Sequence, residues 1–231
     1  MNDKTDITHN IANLQQQLSQ LQINSNHPVK LIAVSKTMSC DKLINAYQAG
    51  VTAFGENYLQ EFKTKAEQLA QLSLEWHFIG TIQSNKSKII AEHASYLHTL
   101  TKISHAIRIN NQRPSTLPAL KVLIEINISG ESNKHGLSTE TEILALAEQI
   151  TQLPRLQLCG LMAMASDSTD EKLVLTQFQT LRNWQQRLTQ QGFSVPELSM
   201  GMSNDYPLAI AAGATMIRIG SKIFGKRNYD N

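Results

Sequence analysis

Lys36 directly follows the apolar run Leu31–Ser35 in the stretch "VKLIAVSKTMSCDKL". Such a run reads as a strand buried on both faces, and a lysine is almost never fully buried unless paired. Lys36 therefore either marks where the strand meets solvent or carries an amine with a task. Near the other end of the chain, "ELSMGMSNDYP" sets Ser199, Gly201 and Ser203 in a tight turn before a helix beginning near Asn204. Next, "GATMIRIGSKIFG" places Arg218 inside an apolar run that ends at Gly220. Glycines let a backbone approach an anion, and free N–H groups at a helix start favour negative charge. Ser199 and Ser203 add hydroxyl donors. An arginine within an apolar strand needs a partner, because its charge cannot be removed. Taken alone, each feature also has a plain reading as a strand end or a Gly/Ser turn.

The elements that must position these residues alternate along the chain. Apolar runs at Leu31–Ser35, Thr52–Gly55, Trp76–Gly80, Tyr96–Leu100, Lys121–Ile128, Leu156–Met164, Leu198–Met200 and Met216–Gly220 read as strands. Helix-like segments lie between most of them: Asp41–Ala49, Tyr58–Gln71, Lys86–His93, Ile103–Asn111, Thr139–Thr151, Asp170–Gln190 and Asp205–Ala212. Ser39 is expected to cap the first of these, and Thr139 with Glu142 fits a capping box. A further helix precedes the first strand, with Ile7, Ile11, Leu14, Leu18 and Leu21 on one face and His27-Pro28 ending it. "NNQRPSTLPA", Asn110 to Ala119, reads as a surface loop. The pattern predicts an α/β protein, a (β/α)8 TIM barrel with an extra N-terminal helix, forming a single domain over residues 1–231. A doubly wound open sheet is the weaker alternative, since no GxGxxG opens the first unit.

In a barrel the C-terminal ends of the strands carry the site, and the loops after strands 7 and 8 often hold phosphate. Lys36 ends strand 1 at that face, where partial desolvation favours a neutral, nucleophilic amine. Strand 2 brings Glu56 and Asn57 there in "AFGENY", and strand 5 brings Glu125 and Asn127, which alternate with isoleucines and need partners. His77, in strand 3, reads as an inward core residue, and the amide-rich loop Gln83–Lys86 as a helix cap. An amine at one side and a phosphate cup at the other fit a ligand with an aldehyde at one end and a phosphate at the other. Pyridoxal 5′-phosphate (PLP) meets that description, as does a sugar phosphate in a Schiff-base aldolase.

The segments "AVSKT", "FGENYLQE", "WHFIGTIQSNK" and "LSMGMSNDYPLAIAAGATMIRIGSKIFG" resemble the pyridoxal phosphate homeostasis proteins from about Lys30 to Gly225. That family in turn resembles the barrel domain of alanine racemase, the fold-type III group of PLP proteins. The resemblance implies that Lys36 holds PLP covalently as a Schiff base and that Arg218 faces the pyridine nitrogen. It implies that Ser199, Gly201, Met202 and Ser203, with the main chain of Ile219 and Gly220, hold the phosphate, and that Asn57 lies beside the ring. An arginine does not readily give the ring nitrogen a proton, so the ring stays a poor electron sink. The chain departs from the pattern at Met38, Ser39 and Cys40, where relatives commonly carry a basic residue or proline, and at Ala165. These departures bear on how PLP is handed on, not on whether it binds.

The resemblance implies a PLP carrier or homeostasis factor without substrate turnover. A PLP enzyme such as an amino-acid racemase is the alternative, and a Schiff-base aldolase a distant third. The sequence stops soon after Gly220, so no second β domain is expected, and with it goes the tyrosine that a racemase partner subunit receives. Racemisation needs acid/base groups on both faces of the carbanion. Lys36 serves one face; Tyr58 and His77 are weak candidates for the other. Apo PLP-dependent enzymes are the expected partners, and the chain is expected to be a monomer. The net charge of +2 argues against nucleic acid or a membrane surface. No apolar stretch approaches the length of a membrane span, the N-terminus lacks a signal-peptide core, and no metal-ligand cluster is visible. Cys40 and Cys159 stand apart, which fits a reducing compartment without excluding one disulfide. Cytoplasmic localisation follows as the default.

Overall fold

Strands too apolar to face water on either side must lie in a parallel sheet covered by helices. The computed structural model describes residues 3–23, 28–131 and 134–225. It places the runs as β1 (Lys30–Val34), β2 (Ala53–Glu56), β3 (Glu75–Phe78), β4 (Tyr96–Leu100), β5 (Leu120–Glu125), β6 (Leu156–Met162), β7 (Glu197–Ser199) and β8 (Met216–Ile219). They pair in chain order, all parallel, and β8 closes on β1 with Ile32 opposite Arg218. The closed (β/α)8 barrel expected from the pattern is therefore the fold.

The intervening helices are α2 (Cys40–Gln48), α3 (Leu59–Gln68), α4 (Ser87–His93), α5 (Ile103–Gln112), α6 (Glu140–Thr151), α7 (Glu171–Gln190) and α8 (Tyr206–Ala211). The extra helix α1 (Asp3–Leu21) and a short α9 (Ser221–Phe224) complete the set described. Ile7, Ile11, Leu14 and Leu18 of α1 are buried, and the helix packs on α2 and α9. Leu21, the fifth residue of the expected stripe, is exposed because the helix ends there. The expected stop at His27 lies outside the described residues. Thr139 and Glu142 form the expected capping box of α6. Ser39 sits at the N-cap of α2 but makes no capping hydrogen bond with its side chain. The segment Asn110–Ala119 is not simply a surface loop. Arg113 is buried within it and donates to the carbonyls of Ala91 and Ala94, both at 2.8 Å, which ties the end of α5 to α4.

Alternation along each strand divides the core in two. Ala33, Phe54, Trp76 and Phe78 face outward and pack with helix residues such as Phe62. Ile32, Ala53, Tyr96, Leu123, Cys159, Met162 and Met216 form a smaller cluster inside the barrel. Both cysteines are free thiols, and burial pushes that of Cys159 up to about 12. Just past the end of β3, the Cα of Gly80 presses on the loop that follows the neighbouring strand β2. A Cβ there would come 1.9 Å from the carbonyl oxygen of Asn57. Gly80→Ala must therefore push the Asn57 backbone aside. The expected loss is about 3 kcal/mol, the upper end for overpacking, measured by urea unfolding.

Candidate functional site

Lys36 arrives at its place by the same alternation. Val34 and Lys36 face the barrel axis, whereas Ser35 between them turns outward to α3. There the Ser35 hydroxyl donates to Glu56 Oε1 at 2.5 Å, and Lys65 Nζ donates to Ser35 O at 2.6 Å, Glu56 Oε1 at 2.8 Å and Glu61 Oε1 at 2.6 Å. Glu56 is fully buried and Lys65 nearly so. Burial raises the Glu56 carboxyl above its usual range, against the opposing pull of the Lys65 ammonium and of its hydrogen bonds. The residue after Lys36 is strained: Thr37 holds a left-handed φ of 66°, uncommon for a β-branched residue. Its amide donates to Glu61 Oε1 and its hydroxyl to Lys36 O, both at 2.6 Å. Strand 1 thus ends in a clamped turn with the half-buried Lys36 side chain on the inner side.

A cavity of about 1500 Å³ opens at this C-terminal face. Lys36, Asn57, Met202, Ser203, Arg218 and Gly220 all line it, so the structure brings six of the sequence-expected residues together. Lys36 is the single lysine among the described residues of its wall. Ser221, Ser166 and Asp205 also line it and were not anticipated. Ser221 follows directly from Gly220 in "IGSK", and the Gly/Ser reasoning applied to the preceding strand would have reached it.

Ser199, Gly201 and Ile219 lie behind the wall rather than in it. Ser199 is fully buried, and its Oγ accepts from Arg218 Nη1 at 2.7 Å. Gly201 has a φ of +93°, and a Cβ would lie 2.6 Å from that of Ala209. Its carbonyl accepts from the Arg218 amide at 2.9 Å, so it ties the two strand ends together. Ile219 faces outward in the apolar layer. The Met202 amide is engaged by Asp205 Oδ1 at 2.5 Å, an internal carboxylate standing where an anion was expected. Asn127 is turned away as well: its side chain donates to the Glu131 carbonyl at 2.9 Å in the loop after β5.

Arg218 is buried yet held, with Nη1 on Ser199 and Nη2 donating to the Ala163 carbonyl at 3.0 Å. Burial lowers it to about 10, against the opposing charges of Asp205 and Glu125, so it stays a cation at neutral pH. Burial likewise raises the Glu125 carboxyl. Asn57 Oδ1 is buried at the cavity without a hydrogen-bond partner among the described residues, an acceptor awaiting a donor. A lysine amine, a fixed arginine, serine hydroxyls and an unsatisfied amide around one open cavity fit the aldehyde, ring and phosphate of PLP.

The barrel belongs to the alanine racemase N-terminal domain family, whose sequence model matches residues 3–228. Solved alanine racemases share the fold: the Bacillus anthracis enzyme has a TM-score of 0.70 at 16% identity, covering 98% of this chain and 57% of its own. Closer relatives are smaller. The pyridoxal phosphate homeostasis protein of Vibrio alginolyticus is 49% identical over 87% of this chain and 88% of its own. That of Escherichia coli K12 is 42% identical over 97% and 98%. PipY of Synechococcus elongatus PCC7942, solved with PLP bound, has a TM-score of 0.84 and 33% identity, covering 95% of this chain and all of its own. The chain belongs to the pyridoxal phosphate homeostasis protein family.

Proposed function

We propose that this protein binds PLP in the C-terminal cavity of the barrel, with Lys36 as its covalent anchor, and takes part in PLP homeostasis without turning over a substrate. The observation that carries this reading is the presence of one lysine, Lys36, in a cavity wall that also holds Arg218, Ser203, Gly220 and Ser221. When bound, PLP supplies an electrophilic aldehyde carbon that a neutral amine attacks reversibly. The chain's own residues do the rest. Ser203, Gly220 and Ser221 would hold the phosphate, and Asn57 and Arg218 would hold the ring. Because Arg218 remains protonated at neutral pH and only donates, beside the ring nitrogen it would leave that nitrogen without a proton and the ring a weak electron sink.

The racemase alternative lacks its second acid/base group among the residues named for it. Tyr58 is 55% exposed and is not part of the cavity wall. His77 is fully buried, with both ring nitrogens engaged. Only the carboxylates of Asp167, Glu171 and Asp205 are left to that role among the described wall residues. The reading includes a cytoplasmic monomer that hands PLP to apo PLP-dependent enzymes. The open cavity, with Met164 and Met202 each 40% exposed at its wall, suits release to a partner. Among the described residues no helix is long and apolar enough to cross a membrane.

Incubating the PLP-loaded protein with L-amino acids in D2O tests the absence of turnover. The expected result is no deuterium at Cα and no D-enantiomer by chiral chromatography. Enzyme-dependent exchange lost in Lys36→Ala would move the protein to the racemase class.

A further inference from the structure

Beneath Arg218 the barrel interior holds a run of polar side chains where apolar filling is usual. Arg218 Nη1 lies 2.7 Å from Ser199 Oγ, Ser199 Oγ 2.9 Å from His98 Nδ1, His98 Nε2 2.8 Å from His77 Nδ1, and His77 Nε2 2.8 Å from Glu75 Oε1. These four contacts run from the cavity to Glu75, the first residue of β3, at the opposite mouth of the barrel. There Lys30 Nζ also donates to Glu75 Oε1, at 2.6 Å. Ser199, His98 and His77 are all 0% exposed, whereas the Glu75 side chain is 31% exposed. Tyr96 stacks on His77, with ring centroids 4.5 Å apart.

The direction of every bond is forced from both ends. A guanidinium donates only, and an ionised carboxylate accepts only. Burial pushes the Glu75 carboxyl up, but hydrogen bonds from His77 and Lys30, and the positive charge on that side of it, outweigh it and hold it down at about 2. Burial lowers both imidazoles, His77 against the opposing pull of Glu75, and the Arg218 charge lowers His98 further, which favours neutral rings with one N–H each. His77 must then carry its proton on Nε2 to serve Glu75, leaving Nδ1 bare. His98 must donate to that bare nitrogen from Nε2, leaving its own Nδ1 bare for the Ser199 hydroxyl proton. Ser199 Oγ in turn accepts from Arg218. One arrangement of protons satisfies all five groups.

We propose that Glu75, His77, His98 and Ser199 are positioning residues for Arg218: a one-way file of hydrogen bonds, anchored at the far mouth of the barrel, that orients the guanidinium in the cavity and so sets its grip on the bound ring. The proposal rests on the reading that Arg218 contacts the ligand. Bonds in such a file polarise one another, so loss of the last acceptor is felt at the first donor. Without Glu75 the His77 ring is free to take its other tautomer. His98 then faces an N–H where it had an acceptor, and Ser199 loses its fixed orientation.

Nitrogen-15 NMR of the histidine rings in the cofactor-free protein tests the file itself. The expected spectrum shows His77 and His98 neutral, each protonated at Nε2, and mixed tautomers in Glu75→Leu. A PLP titration tests the consequence. Glu75→Leu is expected to weaken binding about tenfold, the size of one hydrogen bond to a charged group. Lys30→Met removes the other partner of Glu75 but leaves the file whole, so it is expected to cost stability while binding PLP as the wild type does. A wild-type spectrum with either ring charged or protonated at Nδ1 would overturn the proposal, as would Glu75→Leu binding PLP with undiminished affinity. Wild-type protein that bound no PLP would sink the reading of the ligand, while the ring spectra would still decide the file.

Discussion

Lys36→Ala is expected to lose all borohydride-stable PLP and about 100-fold in affinity, roughly 2.7 kcal/mol. The cavity wall holds no second lysine among its described residues, and the nearby Lys134 amine is already bonded to the Ala165 carbonyl, so no replacement of the lost bond is expected. What remains is the non-covalent grip of the arginine and the serine-lined loops. A PLP titration followed by tryptophan or cofactor fluorescence would measure the residual binding, and mass spectrometry after reduction would measure the label. Stability should change little. Lys36 is half-buried at a strand end, and the clamp around it works through main-chain atoms of Ser35 and Thr37. A variant that kept a stoichiometric label would show that another amine is the anchor.

The second large effect is expected at Lys65, which does not touch the cavity. Lys65→Met leaves the Glu56 carboxylate and the Ser35 carbonyl buried without their shared donor. Breaking a buried pair from one side costs about 3–5 kcal/mol, because the remaining charge is uncompensated. Urea unfolding should show this loss at pH 7. The pH dependence distinguishes the cause. Glu56 is already raised in the folded protein, and without Lys65 it is raised further. A carboxyl with a raised folded pKa costs stability once pH exceeds its unfolded pKa, with the full cost reached above the folded pKa. The deficit of Lys65→Met should therefore shrink as pH falls from 7 toward the ordinary carboxylate range. Adding Glu56→Gln should restore part of the loss at pH 7. A deficit independent of pH, unrelieved by the second change, would locate the effect in lost packing instead.

The sequence carried the barrel plainly because its strands are buried on both faces and contrast with the amphipathic segments between them. Tyr96–Leu100 matches β4 at both ends, and the other strand boundaries move by a few residues. The four-residue α9 was missed, being too short for a helical period to register. The site was legible where one residue type breaks a pattern: Lys36 at the end of an apolar run, Arg218 inside one. Its supports were not. Lys65 sits in "EFKTKAEQ", where a buried lysine and a solvated one read alike until the Glu56 carboxylate is placed beside it. Lys30 and Glu75 open their strands, and only the placed side chains show that Glu75 meets both Lys30 and the buried His77. His77 was read as a core residue and is one, but its partner His98 emerges only from the pairing of β3 with β4. Ser199 was assigned to a phosphate on the strength of its turn. Strand alternation instead points it inward to Arg218.

The most direct test of the central claim is borohydride reduction of the wild-type protein loaded with PLP, followed by peptide mapping. The account predicts a visible absorption band that reduction abolishes and a single labelled peptide carrying Lys36. A label on Lys134, whose amine lies 3.1 Å from the Ala165 carbonyl at the cavity wall, or no label at all, would contradict it.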